Sequence, residues 1–210
     1  MIGRVVRDLL ALIALTMMLG AAWYALVLRA HRLRFVPPAL EVQRILYAAE
    51  ESWGWGPGGN ETGIIVYAMP DAAREKIEAG GIPWLNGLLG RAQDWRSVYR
   101  DWQATPFDLA AAKLEGRLGD EMTHGLCGMG DGIAVYMFRY GFCIPFAPEI
   151  EALADRALTQ SGNFYAHGQR GMLILIPSER RIVYAYNGQC PESDRCAMRK
   201  RKESILFIAV

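Results

Sequence analysis

The chain has 210 residues, with 23 Lys and Arg against 22 Asp and Glu and a formal net charge of +1. That balance supplies no strong field, so no nucleic-acid partner is expected. Hydrophobic residues make up 52% of the chain, and the roughly 170 residues beyond the first apolar segment suffice for one core but not for two comfortable domains.

Residues 1–8 form a short flank containing Arg4, Arg7 and Asp8. From Leu9 to Leu28 no charged residue occurs, and Arg29, Arg32 and Arg34 follow. About 20 residues at a helical rise of 1.5 Å span about 30 Å, the thickness of a hydrocarbon core. Residues 9–28 are therefore expected to be a single transmembrane anchor whose first partner is the lipid bilayer. The alternative is a cleaved signal peptide, with an apolar region from Leu9 to Leu19 and a small-residue site at Gly20 and Ala22. The apolar run continues from Trp23 to Leu28, where a cleaved export signal would usually turn polar, and this favours the anchor. Arginines on the two flanks nearly balance, so counting them leaves the orientation open. A basic linker, 29–37, then leads into a single domain over 38–210.

Pro37-Pro38 ends the membrane segment and suits the start of a helix. Val42, Ile45, Leu46, Ala49 and Trp53 share one helical face and predict a helix there. Trp53 to Gly63 is too rich in glycine to continue it and reads as a loop. Ile64 to Met69 has the length and composition of a strand. Asp71 is a good N-cap for the next helix, which Gly80-Gly81 ends. Helical spacing then recurs at Ile82, Leu85, Leu89, Ala92, Tyr99 and Trp102, interrupted at Gly87 and Gly90. Thr105-Pro106-Phe107-Asp108 has the form of a capping box before a helix with Phe107, Ala111, Leu114 and Leu118 inward.

In the second half, the apolar run Ile133 to Phe138 predicts a central strand. Pro148 opens a helix with Ile150, Leu153, Ala154, Ala157 and Leu158 on one face. Gly162 to Gly171 reads as a loop, and Met172–Ile176 with Ile182–Tyr186 as a hairpin around Pro177 to Arg181. Ile205 to Val210 is the expected last strand. The fold class is α+β: an N-terminal transmembrane helix, then one compact domain with a mixed or antiparallel sheet of about five strands packed on helices.

Chemistry is sparse. Thr123-His124-Gly125-Leu126-Cys127 places a histidine three residues from a cysteine, and Cys143 and His167 lie further on. A Cys/His pair supports nucleophilic catalysis when a base polarises the thiolate. His124, Cys127, Cys143 and His167 are therefore the weak catalytic candidates. No spacing matches a zinc site, and neither a metal nor another cofactor is expected. Gly128 to Gly132 precedes a predicted strand instead of opening a helix, which argues for a turn and against a phosphate cradle. His167 and Arg170 sit where a loop can contact a ligand, although a structural loop is the simpler reading. The carboxylate pairs Glu50-Glu51 and Asp120-Glu121 read as solvated surface. Asn60-Glu61-Thr62 matches a glycosylation sequon, and Arg199 to Lys202 is a solvated basic run.

All four cysteines follow the apolar run. Cys190 and Cys196 bracket a polar segment unsuited to burying thiols, so a disulfide between them is expected, with Cys127 and Cys143 as the second candidate pair. Disulfides imply an oxidising compartment, which favours the extracytoplasmic side for the domain. The expected function is that of a membrane-tethered, non-enzymatic accessory or interaction domain in a cell-envelope assembly, with a protein partner in or at the membrane. The alternative is a membrane-anchored hydrolase or thiol enzyme built on the Cys/His candidates.

Overall fold

A computed structural model of the chain describes residues 2–52, 61–91, 94–107, 132–137, 144, 147–169 and 171–186. Ile2–Leu33 forms one continuous helix, α1. Nothing in this segment breaks a helix, because the first proline is Pro37. Its 30-residue stretch Arg4–Leu33 is long and apolar enough to cross a membrane, and none of its most apolar window is buried against the domain. A core helix of a soluble protein would bury that surface.

Beyond it, six strands form one antiparallel sheet: β1 (Ile45–Ser52), β2 (Glu61–Ala68), β3 (Arg100–Ala104), β4 (Phe164–His167), β5 (Gly171–Ile176) and β6 (Arg181–Tyr186), in the spatial order β1-β2-β6-β5-β4-β3. The fold is α+β, and among the described residues the sheet has six strands where about five were expected. Both faces of the sheet are covered. On one, Ile64, Val66, Met172, Ile174, Ile176, Val183 and Ala185 pack with helix α3 (Ile133–Met137) and helix α4 (Pro148–Thr159). On the other, Ile65, Tyr67, Leu173, Leu175, Ile182, Tyr184 and Tyr186 meet helix α2 (Asp71–Asn86), Phe35, Val36 and Leu40. Successive residues alternate between the two layers, as the pleat requires. Because each layer is apolar, β5 is buried at every position, which explains its unbroken apolar run.

The expected hairpin is present, with β5 and β6 paired from Gly171 opposite Tyr186 to Ile176 opposite Arg181. So is the helix opened by Pro148, which buries Leu153, Ala154, Ala157 and Leu158. The helix expected at Asp71 is present, but Asp71 is its first residue instead of its N-cap, which is Pro70, and it runs past Gly80-Gly81 to Asn86. Its negative charge in the first turn suits the helix dipole. Gly81, at φ +52°, breaks the helical path, a conformation that glycine enters without Cβ strain.

Four further expectations are corrected. Residues 45–52 are strand β1 and not helix. A register shift between Ile45 and Tyr47 marks a bulge at the start of β1, and it puts Ile45 and Ala48 on the α2 face while Tyr47 and Ala49 reach the other. An extra residue therefore imitates helical spacing. The helical spacing expected from Ile82 holds as far as Asn86, the end of α2, but its last part, at Trp102, is strand β3, with Asp101 at φ +54° and a register shift between Arg100 and Gln103. Tyr99 and Trp102, three residues apart, consequently share the α2 face. The apolar run from Ile133 is helix α3 over Ile133–Met137 and not a central strand. Ile133, Tyr136 and Met137 are buried at helical spacing, and a short apolar run cannot distinguish these alternatives by period alone. Strand β4 also occupies part of the expected loop Gly162–Gly171.

The Trp53 to Asn60 part of the expected loop, the expected helix beyond Phe107 and the expected strand at Ile205 to Val210 lie outside the described residues.

Candidate functional site

The most specific arrangement among the described residues lies where α1 meets the sheet. The segment expected to be a linker, 29–37, contains Phe35 and Val36, which are both 3% exposed. Phe35 stacks on Tyr184 at 4.8 Å between ring centroids and on Tyr186 at 5.8 Å. Tyr184 and Tyr186 stack on each other at 5.0 Å. They point to the same face because they are two residues apart on β6. The stack is a continuous aromatic layer under the end of α1.

Hydroxyls around the stack fix the backbone of the helix exit. Tyr67 Oη–H donates to the Arg32 carbonyl at 2.7 Å, and Tyr99 Oη–H donates to the Phe35 carbonyl at 2.7 Å. These carbonyls belong to the last turn of α1 and the residues just beyond it, where a helix leaves acceptors without intrahelical partners. Burial pushes the Tyr67 and Tyr99 phenols well above their ordinary pKa, so both remain neutral donors. His31 meets the edge of Phe35 at 5.2 Å. Arg29 Nη2 donates to the Gln43 carbonyl at 2.8 Å, joining the helix to the entry of β1.

Tyr186 extends this network across the sheet. Its hydroxyl donates to the Glu50 carboxylate on β1, and burial followed by the Glu50 charge raises its pKa. Between the two strands lies Gly63 of β2, paired with both Glu50 and Tyr186. A Cβ there would meet the Tyr186 hydroxyl and ring, so the bare backbone lets the phenol cross β2. Glu50, expected as solvated surface, thus has an assigned partner while remaining exposed.

Two clefts flank the helix exit. One, of about 410 Å³, is lined by Ala30, Leu33, Arg34, Pro38, Asp94 and Ser97 among others. The second, of about 400 Å³, is lined by Arg29, Glu41, Gln43, Arg44, Ala68, Met69 and Pro70.

Of the catalytic candidates, only His167 lies within the described residues. It ends β4, half-buried on the α3–α4 face, with ring centroids 5.9 Å from Tyr136, 6.0 Å from Tyr165 and 6.3 Å from Phe107. His124, Cys127, Cys143, Cys190 and Cys196 lie outside the described residues, as do Asn60, Asp120, Glu121, Arg170 and Arg199 to Lys202. Among the described residues, no group of three or more His, Cys, Asp or Glu is placed to hold a metal ion.

On the same face, Asp155 of α4 accepts the Ile133 N–H at 2.7 Å and caps α3. Half-burial raises its pKa above the usual carboxylate value, and that hydrogen bond partly opposes the rise.

The residues of the helix junction come from positions far apart in the chain. The one local signal for them is Phe35-Val36, an apolar pair between arginines and prolines. Comparisons with protein-family models, with curated proteins and with solved structures found no match to this chain.

Proposed function

We propose that the protein is a single-pass, membrane-tethered accessory domain of a cell-envelope assembly, non-enzymatic, held on the extracytoplasmic side and working by contact with a protein partner in or at the same membrane. The observation carrying this reading is the contrast along α1. Its apolar window is wholly outside the domain, whereas its continuation at Phe35 and Val36 is buried in the domain core. A helix that serves only as an export signal has no need of such docking. An anchor that must present a domain at a fixed height does. The oxidising side is favoured by four cysteines that all follow the anchor.

The test uses the full chain expressed at native level. After carbonate washing, the protein should remain in the membrane pellet. Protease added to sealed right-side-out vesicles should digest the domain, and inside-out vesicles should protect it. The reverse pattern would put the domain in the cytoplasm, and extraction by carbonate would remove the anchor. In mild detergent the chain should migrate as a stoichiometric complex with another protein. Migration as an isolated chain would overturn the accessory role.

A further inference from the structure

Trp23 and Tyr24 are 71% and 67% exposed, and Arg29, Arg32 and Arg34 follow them in the next turns. Aromatic rings followed by arginines are what a spanning helix places at the lipid headgroups. At 1.5 Å per residue, Arg29 lies about 33 Å from Arg7 along the axis, so the two arginine groups bracket one hydrocarbon core. Docking of Phe35 then brings the sheet's end down to this level. The cleft lined by Arg29 and Arg44 opens there.

Its charge is arranged for an anion. The bond from Arg29 to the Gln43 carbonyl engages one of the five N–H donors of the guanidinium and orients the rest of the fork. Arg44 is exposed and forms no side-chain hydrogen bond or ion pair among the described residues. The acid in the cleft wall, Glu41, pairs with Lys76 at 3.0 Å. Asp71, next to Pro70, pairs with Arg180 at 3.2 Å. The neighbouring carboxylates are thus matched by other cations, and Arg29 and Arg44 remain for a ligand. Leu26 and Ala22, one and two turns before Arg29, share its helical face and are exposed. Below the cleft, the surface is therefore apolar.

We propose that this cleft binds the phosphodiester headgroup of an anionic phospholipid from the leaflet that α1 enters, with the acyl chains lying along Leu26 and Ala22. Two guanidinium forks suit a phosphate's paired oxygens better than point charges would. The proposal rests on the anchor reading above.

Native mass spectrometry of the full chain in mild detergent tests it, with an equimolar mixture of phosphatidylglycerol and phosphatidylcholine as the probe. The wild type should retain phosphatidylglycerol preferentially. Arg29→Gln and Arg44→Gln should each lower that preference roughly fivefold, the factor matching about 1 kcal/mol per arginine at a charged surface. Arg4→Gln with Arg7→Gln, on the opposite flank, should leave it in place. Equal retention of the two lipids, or a preference untouched by the Arg29 and Arg44 variants, overturns the headgroup site. Displacement of the lipid by excess inorganic phosphate also overturns it, reducing the cleft to a simple anion site. Carbonate washing of membranes containing the same proteins separates the two readings. Extraction of the wild type sinks the anchor, whereas a membrane-retained chain with no lipid preference sinks the headgroup site alone.

Discussion

The two faces of the sheet are buried by different means. The face toward α1 is aromatic and directional: Phe35, Tyr184 and Tyr186 stack, while Tyr67 and Tyr99 donate to named carbonyls of the helix exit. The face toward α3 and α4 packs Ile174, Val183, Leu153, Ala157 and Leu158, with its rings, Phe107, Tyr136 and Tyr165, grouped around His167 and not around the helix exit. Aliphatic packing is strong but tolerates small rotations of one layer on another, whereas stacked rings and hydrogen bonds specify an angle. The α1 face therefore carries the contacts that orient α1, and the aliphatic packing on the other face supplies bulk stability.

Phe35→Ala is the strongest way to break this contrast. Removing a buried phenylalanine costs about 3–5 kcal/mol, so the thermal unfolding midpoint should fall steeply. Spin labels introduced through non-canonical amino acids at Ala22 and Glu75 should also show a broadened distance distribution, because the helix loses its seat. Leu158→Ala on the opposite face should cost about 2–5 kcal/mol yet leave that distribution narrow. Equal broadening in both variants would dissolve the distinction between the faces.

Tyr99→Phe is smaller and more selective. It keeps the ring but leaves the Phe35 carbonyl without its phenol donor, a loss of about 1–3 kcal/mol for a buried acceptor. The expected result is a modest drop in unfolding midpoint with a measurable shift in the helix-to-domain distance. An unchanged distance would assign the orientation to ring stacking alone.

The same contrast explains how much of the molecule was legible in its sequence. α4 and the β5–β6 hairpin follow from local pattern, since the helix has one apolar stripe and both strands are buried on two sides. The two edge strands, β1 and β3, mislead because each carries an irregularity that spaces its inward residues by three. Bulges are common at sheet edges, where they hinder pairing with other chains. α3 misleads because five apolar residues are too few to reveal a period. The helix junction was hidden for another reason: Phe35 and Tyr99 are joined across 64 positions, a distance over which no local periodicity carries information. Of the histidine and cysteine candidates, only the His124 and Cys127 pair rested on proximity in sequence; His167 sits among aromatic rings on the helical face.

Asp155 gives the smallest expected effect and the sharpest check on the aliphatic face, where it is a charged group capping α3. Its folded pKa is raised by burial, so the folded state binds its proton more readily than the unfolded state does. Between the ordinary carboxylate pKa and the raised folded value, stability should therefore increase as pH falls, the opposite of a carboxylate held by an ion pair. Asp155→Asn retains an oxygen acceptor for the Ile133 N–H and removes the charge. At neutral pH its midpoint should equal or slightly exceed that of the wild type, and the acid-side gain attributable to this residue should vanish. Asp155→Ala, which loses the cap as well, should be less stable than the Asn variant by about 1 kcal/mol. A wild-type difference from Asp155→Asn that widens in favour of the wild type as pH rises would show that the carboxylate charge is stabilising there, and would place a cation beside it.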